Sequence, residues 1–284
     1  MRKSRPSREN MDSSPEPAAA VVELAGVHVV FGRLCALDIE CLELRAAERV
    51  FVLGRSGSGK TTLSRLIKGR LRPSTGRVRV LGEDPMAPQS VSPRGFRRRV
   101  SMIDQEFHLV PRLTVADNVL AGCLGRVSSA RSFFGWYPMA ELMKAEAILR
   151  EVELEGLVDR RVESLSGGQR QRAAIARALM QEAEVILADE PVSALDPELA
   201  EDALQLLVDC VRRRGVTLVV NLHQPALARR FASRIIGLSQ GKIVYDGPPE
   251  GFTREAADFL YAGPDRPGRV VPIGQPGQAK LEGA

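Results

Sequence analysis

Eight consecutive residues, Gly54-Arg55-Ser56-Gly57-Ser58-Gly59-Lys60-Thr61, have the types and spacing of a phosphate-gripping loop. They follow the short apolar run Val50-Phe51-Val52-Leu53 and lead into a stretch with helical spacing, the setting such a loop needs. Glycines let the main chain curl so that successive N–H groups converge on an anion, and the following helix adds its positive end. Lys60 supplies a charge for the β- and γ-phosphates. The hydroxyl of Thr61, with Thr62 beside it, stands where magnesium would be ligated. The pattern specifies a nucleoside triphosphate and no particular reaction, since kinases, GTPases and ATPases share it. A glycine-rich turn without a ligand is the plain alternative.

A second group lies far downstream. The apolar run Val185-Ile186-Leu187-Ala188 ends in Asp189 and Glu190. Carboxylates at the end of a buried strand are costly unless paired or metal-bound. At the carboxyl end of a strand in an open α/β sheet they would emerge beside the phosphate loop. Asp189 then suits the magnesium shell, directly or through water, and Glu190 suits a general base that polarises an attacking water. The plainer reading is two acids capping the turn before Pro191.

The third group, Leu165-Ser166-Gly167-Gly168-Gln169, opens a stretch of helical spacing through Ala173, Ala174, Ala176 and Leu179. Ser166 sits at the N-cap with glycine N–H groups behind it, which makes a second anion cradle in one chain. One nucleotide does not easily reach both cradles if each belongs to a different subdomain. Two chains arranged head to tail would let the cradle of one close over the γ-phosphate held by the other.

The elements that position these groups alternate between strand and helix. Short apolar runs at 50–53, 185–188, 218–220 and 235–236 suit buried strands, and 59–68, 141–152, 167–180 and 197–213 have helical spacing. Residues 21–44 alternate like an antiparallel strand pair, and roughly 105–180 reads mainly helical. The expected fold is α/β, a phosphate-loop NTPase with a mixed sheet core, an antiparallel β subdomain and a helical subdomain. One nucleotide-binding domain is expected over 21–262, between a disordered leader at 1–20 and a disordered tail at 263–284 rich in Pro and Gly. The 284 residues carry 40 basic against 35 acidic side chains, a mild excess that argues for neither nucleic acid nor membrane surface. The triplets Arg97-Arg98-Arg99 and Arg212-Arg213-Arg214 read as solvated faces. No apolar run approaches the roughly 20 residues of a membrane span, and the basic N-terminus has no apolar segment after it, so a cytoplasmic location is expected. The four cysteines and three histidines lack metal-ligand spacing.

The Leu165-to-Gln169 pentapeptide, with the phosphate loop and the acid pair, resembles the ATP-binding-cassette family over about 21–262. The resemblance implies ATP and Mg2+ as ligands and roles for further residues. Phe31 would stack on adenine, although a plain core aromatic also fits. Gln105 would sense magnesium and water. Ser193-Ala194-Leu195-Asp196 would cross a dimer interface, bringing Asp196 to the nucleotide. His223 would contact the γ-phosphate; a lone His after a strand is more often structural, but its place downstream of Asp196 favours the switch role. The implied partners are a second copy of the chain, integral-membrane permease subunits, and a periplasmic or extracellular substrate-binding protein acting through them. No nucleic acid is implied, and the implied location is the cytoplasmic face of the membrane.

Further stretches are similar to the ATPases of bacterial phosphonate importers: Asn118-Val119-Leu120-Ala121-Gly122, Leu124-Gly125-Arg126, Val220-Asn221-Leu222-His223-Gln224, Arg234-Ile235-Ile236-Gly237-Leu238 and Asp246-Gly247-Pro248-Pro249. Another imported solute, such as phosphate or an amino acid, stays open, as does a soluble cassette subunit of a phosphonate-metabolising complex. A nucleic-acid-remodelling cassette would need a second cassette or a long coiled-coil insert. Asp104 and Glu106 depart from the uncharged residues more usual beside the glutamine. The cluster Phe133-Phe134-Gly135-Trp136-Tyr137 suits either a satellite core under the helical subdomain or a docking site for a helix of the membrane partner.

Overall fold

The computed structural model describes residues 19–86, 93–127 and 135–261. The expected leader and tail fall almost wholly outside these residues, as do Phe133 and Phe134. Strands in chain order are β1 (Ala20–Phe31), β2 (Leu34–Arg45), β3 (Arg49–Leu53), β4 (Thr75–Val80), β5 (Val100–Ile103), β6 (Val185–Asp189), β7 (Thr217–Leu222), β8 (Arg234–Ser239) and β9 (Lys242–Gly247). The main helices are Lys60–Ile67, Met139–Glu151, Gly167–Met180 and Pro197–Arg214.

Two sheets form among the described residues. β1 pairs antiparallel with both β2 and β4, giving the order β2-β1-β4. The six-stranded sheet has the order β5-β6-β7-β3-β8-β9, parallel except for the antiparallel edge strand β9. The apolar runs at 50–53, 185–188, 218–220 and 235–236 all lie in this sheet, because a strand covered on both faces needs no polar alternation. β4, β5 and β9 escape the sequence pattern. β4 has the alternating Arg77 and Arg79 of a half-exposed strand, and β5 is only four residues long.

Side chains of successive residues leave a strand on opposite faces, and the two cores divide accordingly. Phe51, Leu53, Ile186, Ala188, Leu218, Val220 and Ile235 pack under the helices Met139–Glu151, Gly167–Met180 and Pro197–Arg214. Val50, Val52, Val185, Leu187, Val219 and Ile236 pack against the three-stranded sheet and the helix Lys60–Ile67. The mixed sheet is thus the middle layer.

Its strand order decides what can meet. β5, β6, β7 and β3 are neighbours, paired Ile103↔Ala188, Asp189↔Asn221 and Leu53↔Leu222. Residues far apart in the chain therefore emerge side by side at one edge: Gln105 after β5, Asp189 and Glu190 at the end of β6, His223 after β7 and the phosphate loop after β3. Of the aromatic cluster, Tyr137 packs on the helical-side core while Trp136 is 71% exposed. The satellite-core expectation describes the first residue and not the second.

Ion pairs tie the elements to one another. Arg99 spans Glu83 and Glu184, and Arg234 donates to both oxygens of Asp246 at 2.6 and 2.8 Å. Glu151 accepts from Arg214 Nη1 at 2.9 Å and Arg213 Nε at 3.2 Å, tying the ends of two helices together. The Arg214 hydrogen bond, opposed by burial and aided by Arg213, holds the Glu151 carboxyl down at about 2. A carboxyl depressed in the folded state stabilises it above the unfolded value of 4.5, and that contribution is lost as pH falls toward about 2. Glu151→Gln should lower stability by on the order of 2 kcal/mol at pH 7. Denaturant melts at pH 7 and pH 3 should show the gap between the two proteins shrinking; a constant gap contradicts the assignment.

Candidate nucleotide site

The loop at 54–61 runs from the end of β3 into the helix Lys60–Ile67, as its spacing implies. Gly54, Gly57 and Gly59 have φ of 157°, 78° and 110°. At two of them space as well as dihedral requires glycine. A Cβ on Gly54 would lie 2.3 Å from the Leu238 carbonyl oxygen, and one on Gly59 would lie 2.6 Å from that of Ala36. The loop is seated on its neighbours by main-chain bonds: Gly241 N–H donates to the Ser58 carbonyl at 3.0 Å, and Asp38 N–H donates to the Gly241 carbonyl at 2.9 Å.

Lys60 is 4% exposed. Its ammonium donates to the carbonyls of Gly54 at 2.8 Å and Arg55 at 3.1 Å, with His223 Nε2 at 3.5 Å. Burial pushes its pKa down, against the upward pull of Glu190 and Asp189. A buried cation whose hydrogen bonds go to neutral groups is a strong site for an anion. The Ser58 hydroxyl is buried beside it with no hydrogen-bond partner among the described residues. The curled loop, the buried ammonium and the orphan hydroxyl fit a polyphosphate.

The loop opens on a cleft of about 610 Å³ lined by Phe31, Leu34, Cys35, Ala36, Ser56, Gly57, Gly59, Lys60, Thr61, Thr62, Glu190 and Gln240. That volume is in the range of small-molecule sites. Phe31, at the end of β1, is 49% exposed, so the core-aromatic reading does not hold for it. Its exposed ring on the wall of the cleft, beside Leu34 and Ala36, suits stacking on a flat heterocycle.

Asp189 accepts from Asn221 Nδ2 at 2.7 Å. Glu190 adopts the left-handed region, φ 50°, and its N–H donates to the Asn221 carbonyl at 3.1 Å. Its carboxylate meets His223 Nε2. A carboxylate partner requires that nitrogen to carry the proton. The Tyr261 hydroxyl donates to the His223 carbonyl at 3.1 Å, and burial raises that phenol to about 12. The sequence gives Tyr261 no role, because a tyrosine well past β9 carries no motif.

Gln105 lies in the exposed turn after β5, outside the residues lining the cleft. The turn is held from the opposite side: Arg177, in the helix Gly167–Met180, donates to the carbonyls of Phe107 at 2.5 Å and His108 at 2.6 Å. Phe107 and His108 both have positive φ. Asp104, one of the two unusual acids, pairs with His108 at 3.3 Å and with Arg70 at 4.0 Å.

Ser166 caps its helix as expected. Its hydroxyl accepts from Gln169 N–H at 3.3 Å while Gln169 Oε1 accepts from Ser166 N–H at 3.0 Å, a reciprocal capping box. Gly167 and Gly168 continue the helix and face Leu195 and Leu199 at 3.5 and 4.0 Å from where a Cβ would stand. None of Ser166, Gly167, Gly168 and Gln169 lines the cleft described above. Asp196 is also outside it; its carboxylate caps the helix Pro197–Arg214 by accepting from Leu199 N–H at 3.1 Å.

Comparison with known proteins places the chain in a family. The ABC transporter family model matches residues 38–193. The chain is 42% identical over 221 residues to the phosphonates import ATP-binding protein PhnC 2 of Haloarcula marismortui, covering 78% of this chain and 82% of that one. It is 37% identical over 257 residues to the PhnC protein of Nitratidesulfovibrio vulgaris, covering 88% and 97%. Among solved structures it is similar to cbiO1 of Clostridium perfringens, part of an ABC transporter complex, with a TM-score of 0.74, coverage of 85% and 93%, and 23% identity, a likeness of fold. It is also similar, at 27% identity and a TM-score of 0.69, to an ATP-binding cassette in its ADP conformation, covering 81% and 92%. By the family match and the relatives, the chain belongs to the ABC transporter family, as one of its ATP-binding and ATP-hydrolysing subunits.

Proposed function

We propose that this chain energises a phosphonate importer, working as a homodimer at the cytoplasmic face of the membrane beneath integral-membrane permease subunits. A periplasmic or extracellular substrate-binding protein would act through those permeases. The observation that carries the dimer is the separation of the two cradles: the exposed N-terminus capped by Ser166 has no part in its own chain's cleft. The phosphonate substrate is supported by the names of the relatives, and no helix of the described residues is long and apolar enough to cross a membrane itself.

In this reading the curled loop and Lys60 bind the triphosphate, and Phe31 packs on the base. Magnesium, when bound, neutralises phosphate charge; Thr61 and Asp189 would hold it, and Gln105 would monitor it from the turn after β5. Glu190 takes the proton of a water attacking the γ-phosphorus, breaking the bond to the β-phosphate oxygen, so that ADP and phosphate result. His223 orients Glu190 through Nε2 and reaches toward the same phosphate. Ser166, Gly167, Gly168 and Gln169 of the partner would close the pocket from the other side, with Asp196 at the seam. Loss of the γ-phosphate removes what joins the two chains, and the pair opens.

Three measurements bear on these roles. Gly59→Ala, whose new methyl would meet the Ala36 carbonyl at φ 110°, should weaken ATP binding at least tenfold in calorimetry; unchanged binding would contradict the cradle. Glu190→Gln should bind ATP, lose at least about a hundredfold in turnover, and run as a dimer with ATP in light scattering, whereas wild-type turnover would remove Glu190 from the mechanism. Finally, ATPase activity of the assembled transporter with its binding protein should rise with alkylphosphonates more than with phosphate or phosphite. A larger response to phosphate would overturn the substrate.

A further inference from the structure

β7 is buried along its whole length, and five of its six residues are those a covered strand ordinarily uses: Thr217, Leu218, Val219, Val220 and Leu222. The sixth is Asn221, 0% exposed, in the middle of a parallel sheet. Burying an amide is unfavourable unless its polar atoms find partners. The Nδ2 group finds two, donating to Asp189 Oδ1 at 2.7 Å and to Ser64 Oγ at 3.0 Å. The Oδ1 atom is buried with none among the described residues. A residue that leaves its acceptor unmatched while its donors are both engaged adds little to stability over the apolar side chain its neighbours carry. What it does add is a charge-assisted hydrogen bond to a carboxylate and a fixed direction for it.

Three elements of the site converge on this residue. Its register partner on β6 is Asp189. Its main-chain carbonyl accepts the N–H of Glu190, the residue whose φ of 50° turns the chain out of β6. Ser64 lies one helical turn beyond Lys60 and Thr61, on the helix that carries both. Leucine or valine would satisfy the burial and keep the main-chain bond to Glu190 but hold neither Asp189 nor Ser64, and aspartate would present no side-chain donor.

We propose that Asn221 is a positioning residue for hydrolysis: its amide sets the orientation of Asp189 relative to the helix of Lys60 and Thr61, and its carbonyl sets the turn that presents Glu190. The proposal rests on the reading of Asp189 as a residue of the magnesium shell. Groups that orient a metal-holding carboxylate typically change metal affinity or activity by about tenfold to a hundredfold when removed.

The test uses the full chain and measures ADP binding by calorimetry, once in EDTA and once at saturating magnesium. Asn221→Leu keeps the volume and removes the amide; Asn221→Asp keeps the shape and removes the donor, and serves if the first variant does not fold. Both should bind ADP in EDTA within about twofold of wild type, since the phosphate loop is untouched. The tightening that magnesium brings should fall by about tenfold or more. In an Asp189→Asn background, Asn221→Leu should cost almost nothing further, because the residue acts through Asp189. Full magnesium tightening in both Asn221 variants, with Asp189→Asn abolishing it, would overturn the positioning role and leave the Asp189 reading intact. Full tightening in Asp189→Asn itself would overturn the reading on which the proposal stands.

Discussion

A lysine ammonium buried at the head of a helix is the constraint around which the site is built. Lys60 cannot be desolvated without compensation, and the structure supplies it from main-chain carbonyls of the loop it belongs to. That solution demands a loop that turns back on its own lysine. The turn in turn demands glycine where φ is positive and where β2 and the end of β8 press in from outside. The close approach is possible because the antiparallel sheet and the mixed sheet meet at this loop, bonded to it through Gly241 and Asp38. The small β subdomain therefore does more than bring Phe31 to the cleft: its backbone is the floor against which the phosphate loop is pressed.

The same charge explains why the acids must come from a neighbouring strand. Asp189 and Glu190 offset part of the burial of Lys60, which they can do only at short range. Insertion of β3 between β7 and β8 puts the loop one strand away from His223 and two from the acid pair. Parallel pairing keeps their carboxyl ends level. Asn221 and Tyr261 then restrain the connecting segments, one from within the sheet and one from the last described helix, Arg254–Tyr261.

Much of this was legible from sequence because the signals are local. Four apolar runs too short for helices marked the buried strands, and the glycine spacing of 54–61 and the N-cap at Ser166 are properties of contiguous residues. What was missed depends on tertiary placement. β5 has only four residues and takes its identity from pairing with β6, and β4 alternates too weakly between arginines and valines to stand out. The resemblance makes Asp196 an interface acid, and within one chain its carboxylate caps the helix Pro197–Arg214. Phe31 has a neighbourhood of ordinary hydrophobic residues in sequence, and only the extension of β1 past the core leaves its ring in the open. Arg177 sits in a helix whose alanines announce packing, so nothing in the pattern distinguishes it from a solvated arginine.

Arg177 matters to the proposed cycle because it decides which body the Gln105 turn belongs to. The turn leaves the sheet at Ile103, and Asp104 stays near Arg70 on the phosphate-loop side. Two and three residues past Gln105, the carbonyls of Phe107 and His108 are gripped by the helix that Ser166 caps. Their positive φ values leave those carbonyls facing that helix rather than continuing the strand. Gln105 thus lies between two anchors, one on the sheet that holds the nucleotide and one on the helix whose other end would engage the partner's nucleotide. In the proposed cycle, a rotation of the helical layer relative to the sheet would be taken up in this connection between Asp104 and Phe107, and would displace the glutamine placed there.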